Sequence, residues 1–527
     1  MGERVRCLTI AAAAIAVAVG LRGVYAWYGN LAYDEYQHMH AAFLVAQGQV
    51  PFVDFFEHHT PLFYYFAAAV LPLKSPAFNT LLLARIPTLV FHCATIVLAA
   101  LWVRRLHGSR AATAVAALMA GNVCFFLWGT RTYLDPYAAP FLIGIAWLLS
   151  SQPIATWRWA AAGALLSLGI LITQKTAIAG LGVVMVLGLD LRGEQPLQRL
   201  RKNMLWMAGG AALPFVLLFP VMGWAGVVGM FRDAFLLNLH WKARHFPRRE
   251  LVILAATDAF VYGVAICGVA YDLWQLTRRQ LCFDPRDAPS LFLIAMVAGI
   301  FLQPVVWEEY FILVIPFAVV VAGITLARWW ERLTDTDRTA IATRWVVAAL
   351  FTASSLMDLV GLRLASDNPL SIPAIAFIGL LWSGTAMALL TAFQRRDANA
   401  GLLALALVLI SAVVQQIDWI PRHLNNDDRA RVDYVMANTK ADEAVFDGRS
   451  GYGVFRPHAY RYWFLHDEMQ LMLSDKEKTA DIIAALADPK TRIAIVDDYT
   501  RMLPGQVRDY ITANYTATPF DDLRIRR

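Results

Sequence analysis

Asp34 and Glu35 stand side by side in Leu31-Ala32-Tyr33-Asp34-Glu35-Tyr36-Gln37-His38, directly after an apolar run. A second polar cluster follows at Asp54-Phe55-Phe56-Glu57-His58-His59-Thr60-Pro61. A carboxylate can take the proton of a hydroxyl nucleophile, and an imidazole can do the same or ligate a metal. Such groups are costly beside hydrocarbon, so two clusters where the chain leaves an apolar segment mark a candidate reaction site. The plainer alternative is that Asp34 and Glu35 cap the helix that follows, as acidic residues at a helix start do.

The elements that must position these groups are membrane helices. Of 527 residues, 58% are hydrophobic and only 16% charged, which excludes a soluble globule and a disordered chain. The net charge of +6 comes from arginines and lysines in short loops between apolar runs, where they set topology; no basic stretch has the interleaved aromatics of a nucleic-acid platform. Cys7, Cys93, Cys124, Cys267 and Cys282 fall in apolar runs or on the basic side, so neither a disulfide framework nor a thiolate metal site is indicated. The first apolar run, Cys7 to Tyr28, has full spanning length and lacks a convincing cleavage site, and it is read as an uncleaved span.

Apolar runs at 8–28, 83–103, 110–128, 135–150, 158–173, 176–190, 204–222, 258–276, 290–304, 310–327, 345–362, 373–391 and 400–417 predict a polytopic α-helical membrane protein of about 13 spans. The basic loops alternate with them, placing the N-terminus inside and the region after Asp418 outside. The same alternation puts 29–82, the turn 129–135, the Gln174-Lys175 corner, 223–257 and the Glu308-Glu309 pair on the outer face. Their convergence on one face argues for a site. Within 29–82, Tyr36 to Gln47 and Pro61 to Leu71 are expected to be interfacial helices. Residues 1–417 thus form a transmembrane module, and 418–527, with shorter apolar runs and more charge, a small α/β domain outside the membrane. In that domain Arg429 to Thr439 and Lys478 to Ala487 predict helices, and Ala444 to Phe446 and Arg492 to Val496 strands. The Gly448-Arg449-Ser450-Gly451-Tyr452-Gly453 run is a turn rather than a phosphate loop.

Asp34-Glu35, the segment Phe56-Glu57-His58-His59-Thr60-Pro61-Leu62, the Gln174-Lys175 corner and Trp307-Glu308-Glu309-Tyr310 with the terminal domain together make a pattern. It resembles the GT-C glycosyltransferases, in the branch of the protein O-mannosyltransferases and lipid A aminoarabinose transferases. The resemblance is strong over residues 1–180, diffuse to 417, and architectural beyond. It implies a GT-C fold and transfer of a sugar, with inversion, from a polyprenyl-phosphate carrier to a hydroxyl of a lipid, glycan or protein. The reaction would take place on the outer face of the cytoplasmic membrane. By position in the motif, Asp34 is the expected general base, and Glu35 orients the acceptor or meets the second cluster.

The chemistry is arguable from the residues as well. A hydroxyl needs a positioned base, and a departing phosphate gathers charge that wants a cation. Lys175 is the leading phosphate partner, with a snorkelling anchor as the alternative; Arg131 assists, or bridges to Asp135. Glu57, His58, His59, Glu308 and Glu309 are expected to contact substrate. The branch usually carries a lysine where this chain has His58, so the phosphate charge is expected to move to Lys242, Arg244 or a metal. Two alternatives stand for Glu57, His58 and His59: a divalent cation site completed by His240 or His245, or a metal-free site in which Glu57 and the histidines hydrogen-bond sugar or phosphate. A transporter or lipid flippase is the competing class. Transporters keep their charges near mid-membrane and show repeated halves, and neither feature is visible here.

Overall fold

The computed structural model of the protein describes residues 2–190, 196–240, 258–333 and 398–527, with a few isolated positions between. The apolar runs become helices: α1 (Gly2–Tyr28), α4 (Phe78–Gly121), α5 (Val123–Gly129), α6 (Leu134–Leu149), α7 (Thr156–Ile172), α8 (Ala179–Asp190) and α9 (Pro196–Met230). Ala259–Arg278, Ala288–Phe301, Ile315–Leu333 and Ala398–Trp419 continue the series. The expected spans at 345–362 and most of 373–391 lie outside the described residues. Among the described residues, Phe78–Gly121, Pro196–Leu239 and Ala259–Arg278 are each long and apolar enough to cross a membrane. Between the spans lie two shorter helices, α2 (Tyr33–Ala46) and α3 (Leu62–Val70), at the expected interfacial positions. Gly108, at φ +82°, breaks α4 beside Arg104 and Arg105 and so separates the expected spans 83–103 and 110–128.

One segment differs from expectation. The loop expected from residue 223 begins as helix: after a bend at Gly223 (φ +64°) the chain stays helical to Leu239. The reason is packing. Met222, Met230 and Ala234 bury against Phe52, Leu171 and Leu218, and this apolar contact makes a second limb where the Gly223 punctuation suggested a loop.

Beyond Trp419 the pattern changes to α/β. Strands β1 (Ala444–Phe446), β2 (Thr491–Ile495), β3 (Tyr515–Ala517) and β4 (Leu523–Arg526) form a sheet of order β1-β2-β4-β3. β1 and β2 are parallel, while β4 runs antiparallel to both β2 and β3. Buried Val445, Ile493, Ile495 and Leu523 gather on the sheet with Val435 of helix Asn426–Ala437. This region is tied directly to α2. The Leu31 N–H donates to Asp428 at 2.9 Å, and the His40 ring, 2.9 Å from the Val454 carbonyl by Nδ1, stacks on Trp463 at 4.3 Å. Gly451 at φ +84° passes so close to α2 that a Cβ there would stand 2.1 Å from Tyr36 Cβ. Glycine is required by contact as well as by conformation.

Candidate functional site

The acidic pair divides its work at the first turn of α2. Glu35 faces inward and is 1% exposed. Its oxygens accept from Arg85 Nε at 2.7 Å and Nη2 at 2.6 Å, from the Ala32 N–H at 2.9 Å and from the Thr132 N–H at 2.8 Å. Burial would raise this carboxyl, but Arg85 and these donors hold it below its usual value. Arg85 also donates to the carbonyls of Gly29 at 2.8 Å and Asn30 at 2.6 Å, stapling the end of α1 to α2 and α4. Glu35 is therefore a capping and anchoring group behind the site. Asp34, its neighbour in sequence, is half-buried, faces the cavity, and makes no hydrogen bond or ion pair among the described residues.

That cavity has a volume of about 770 Å³ and opens between α2, the ends of the spanning helices and the terminal α/β region. Asp34, His58, His59, Arg131, Lys175, Glu308 and Glu309 all line it. Lys175, in the 3₁₀ turn Gln174–Ile178, donates to Asp135 at 2.9 Å and lies 3.6 Å from the Tyr310 ring centre. Burial would lower its pKa, but Asp135 raises it, so the ammonium stays charged. An ammonium carries three donors, so one contact to Asp135 leaves others for a ligand. The bridge weighed for Arg131 and Asp135 is thus replaced by Lys175–Asp135, because the corner brings the ammonium onto the first turn of α6. Arg131 donates instead to the Tyr25 hydroxyl at 3.0 Å and to Asn30 Oδ1 at 3.2 Å.

The second cluster forms the adjacent wall. Glu57 is buried behind its two histidines: Oε1 accepts from Gln37 Nε2 at 2.9 Å and from the His58 and His59 N–H groups at 2.9 and 3.1 Å. Gln174 Nε2 at 3.1 Å and Asn238 Nδ2 at 2.8 Å both donate to the His58 carbonyl, clamping the loop. Burial, with Lys175 adding to it, lowers His59 to about 3, so its imidazole is neutral. One carboxylate oxygen of Glu57 and one nitrogen each of His58 and His59 lie within 4.8 Å of one another. Neutral imidazoles and a carboxylate fit a divalent cation, which would supply positive charge beside a phosphate. His240, expected to complete the set, is exposed, with Nδ1 turned to the Leu236 carbonyl at 2.7 Å, so the cluster among the described residues is Glu57, His58 and His59, and His245 lies outside the described residues. Lys242 and Arg244 lie outside the described residues.

Several cavity residues escaped the sequence reading. Asp428, Arg449, Tyr452, Phe464, His466 and Glu468 line the cavity from the terminal region. The Arg449 guanidinium stacks over Tyr33 at 5.0 Å and bonds the Tyr499 hydroxyl. His466 pairs with Glu468 at 2.7 Å, and its ring lies 5.9 Å from His58. The available signal was the Gly448–Gly453 turn itself, whose glycines allow the close approach to α2 that aims Arg449 at the site. Arg85 too was visible, as a lone arginine inside an apolar run that must find a carboxylate.

Glu309 gives the site a pH signature. Burial, with the Asp34 charge adding to it, pushes its carboxyl up to about 8. Folding therefore favours the protonated form. This contribution to stability is fully present below the ordinary value of 4.5 and is lost as pH rises through about 8. Glu309→Gln should match the wild type in thermal unfolding at pH 5 and unfold at a higher temperature at pH 8.5; identical curves at both values would contradict the shift.

With this geometry in view, comparisons with known proteins place the architecture. The structure of ArnT from Cupriavidus metallidurans bound to undecaprenyl phosphate superposes with a TM-score of 0.62 at 15% identity, covering 100% of this chain and 98% of that one. The fold is of the GT-C type. Archaeal oligosaccharyltransferase AglB from Archaeoglobus fulgidus, in complex with an inhibitory peptide and a dolichol-phosphate, superposes at 0.54 with 11% identity, over 100% of this chain and 74% of that one. Arabinosyltransferase EmbB from Mycobacterium smegmatis gives 0.50 at 14%, over 84% and 42%. Residues 58–224 match the family model of dolichyl-phosphate-mannose-protein mannosyltransferases. The match begins at His58 and takes in Arg131, Asp135 and Lys175. No curated protein sequence matches the chain.

Proposed function

We propose that this chain transfers a sugar, with inversion, from a polyprenyl-phosphate donor to a hydroxyl acceptor on the outer face of the cytoplasmic membrane. The observation that carries the proposal is a carboxylate with no hydrogen bond or ion pair among the described residues, Asp34, in one cavity with a charged ammonium, Lys175. Asp34 takes the proton of the acceptor hydroxyl as its oxygen bonds the anomeric carbon. On the opposite side the bond from that carbon to the phosphate oxygen breaks. The departing polyprenyl phosphate leaves with the electron pair, its charge met by Lys175, with Arg131 beside it. A single displacement from opposite faces inverts the anomeric carbon. The mouth between the helix ends and the terminal region admits a carrier from the bilayer and an acceptor from the aqueous side. The carriers named with the two structural neighbours, undecaprenyl phosphate and dolichol-phosphate, support the donor class.

Under this proposal Glu308, His58 and His59 hold the sugar or phosphate by hydrogen bonds, and Arg449 reaches in from the terminal α/β domain. The test is mass spectrometry of polyprenyl-phosphate sugars and envelope glycans in a strain lacking the protein. One polyprenyl-phosphate sugar should accumulate as its matching decoration disappears. An unchanged profile in both pools would remove the proposal.

A further inference from the structure

We propose a second lipid site, at the end of the bundle opposite the catalytic cavity. It holds one anionic glycerophospholipid, with an acyl chain between α4, α6 and α7 and its phosphate between Arg105 and Arg158. A groove of about 620 Å³ runs along these helices, its wall formed by apolar side chains such as Phe91, Leu98, Phe141 and Leu165. Ala94 and Gly144 give it depth. From Val90 to Arg105 the groove follows about 22 Å of α4, at 1.5 Å per residue. That exceeds the ~15 Å half-thickness of a bilayer core, so one chain entering from the near surface can lie along it fully.

The charged end decides what kind of lipid. Arg105 and Arg158 both line the groove and feel each other's positive charge. Neither has a carboxylate partner among the described residues. Arg158 reaches only the Leu148 carbonyl at 3.5 Å and the ring of Trp157 at 5.4 Å. Arg279 and Arg328 at this end pair with Asp287 at 2.5 Å and Asp272 at 2.6 Å, and Arg278 stacks on Trp274; what sets Arg105 and Arg158 apart is that both stand on one apolar groove. Two adjacent guanidinium groups left together, above an apolar trough and beside Trp147 and Trp157, complement a phosphate diester at headgroup depth. A zwitterionic lipid brings its own cation to the same place and gains less.

The test is native mass spectrometry of the purified full chain, delipidated and titrated with phosphatidylglycerol, phosphatidylcholine, polyprenyl phosphate or inorganic phosphate. Wild-type protein should retain one phosphatidylglycerol in preference to phosphatidylcholine and inorganic phosphate, while polyprenyl phosphate, taken by the catalytic cavity, should bind equally well to the wild type and to the arginine variants. The double variant Arg105→Gln/Arg158→Gln should weaken that retention roughly thirtyfold. Ala94→Phe, which fills the trough and leaves both arginines, should weaken it as well, while Arg104→Gln, outside the groove, should not. Equal retention of phosphatidylcholine, saturation by inorganic phosphate alone, polyprenyl phosphate binding lost in step with phosphatidylglycerol in the double variant, or unchanged phosphatidylglycerol binding in the double variant and Ala94→Phe would each overturn the site. The wild-type comparison stands even if a variant fails to fold.

Discussion

Asp34→Asn should reduce sugar transfer by roughly 10²- to 10⁴-fold, the range lost when a positioned general base is removed, while the protein still folds and binds donor. The expectation rests on elimination among the carboxylates that line the cavity. Asp428 holds the Leu31 N–H at 2.9 Å, and Glu468 is engaged by His466 at 2.7 Å. Burial and the Asp34 charge push Glu309 up to about 8, which favours its protonated form at neutral pH. Glu308 and Glu309 line the same cavity as Lys175, and the charges of both Asp34 and Lys175 act on Glu309. Asp34 faces the cavity with no hydrogen bond or ion pair among the described residues, and Asn keeps its shape while removing its basicity. The loss should fall on kcat with the donor KM little changed, since a base acts on the acceptor proton and not on the phosphate. Turnover at the wild-type rate would transfer the role to another group. A rise in donor KM alone would make Asp34 a binding residue.

The two carboxylates show how much of the site was legible in the sequence. Clustering of Asp34, His58, His59, Arg131, Lys175, Glu308 and Glu309 on one face followed from counting spans, because charge at a helix end has few tolerable places in a bilayer. Which of Asp34 and Glu35 faces the cavity did not follow, since adjacent helical residues differ only by rotation about the axis. Glu35 turns inward onto Arg85, fifty residues on in sequence. The structure divides the two residues: Glu35 caps the helix, taking the Ala32 N–H, and Asp34 lines the cavity. The contribution of the terminal region was hidden for a similar reason. Arg449 and His466 reach the site through tertiary docking on α2, and a turn motif does not state what it packs against. The β1 strand and the extents of α2 and α3 were readable because period and punctuation are local properties, whereas the burial of α2 against the terminal region was not. The second limb of α9 was not, because it depends on Phe52, a partner distant in the chain.

The anchor behind the site should matter to folding as Asp34 matters to turnover. Arg85→Leu is expected to destabilise the protein by about 3–5 kcal/mol, the loss typical of a buried ion pair stripped of one partner. Arg85 is fully buried and Glu35 1% exposed, so no water can replace the missing guanidinium. The carbonyls of Gly29 and Asn30 would lose their donor in the same step. Glu35→Leu should cost a comparable amount, since it strands the arginine and frees the Thr132 N–H. In the double variant no charge remains buried, and the loss should be clearly smaller than the sum of the two singles. Thermal unfolding of the detergent-purified variants measures all three. Additive losses would mean that the pair is not coupled and that α2 is held by its apolar contacts. A coupled result makes Glu35–Arg85 the joint that fixes the rotation of α2, and with it the direction in which Asp34 points.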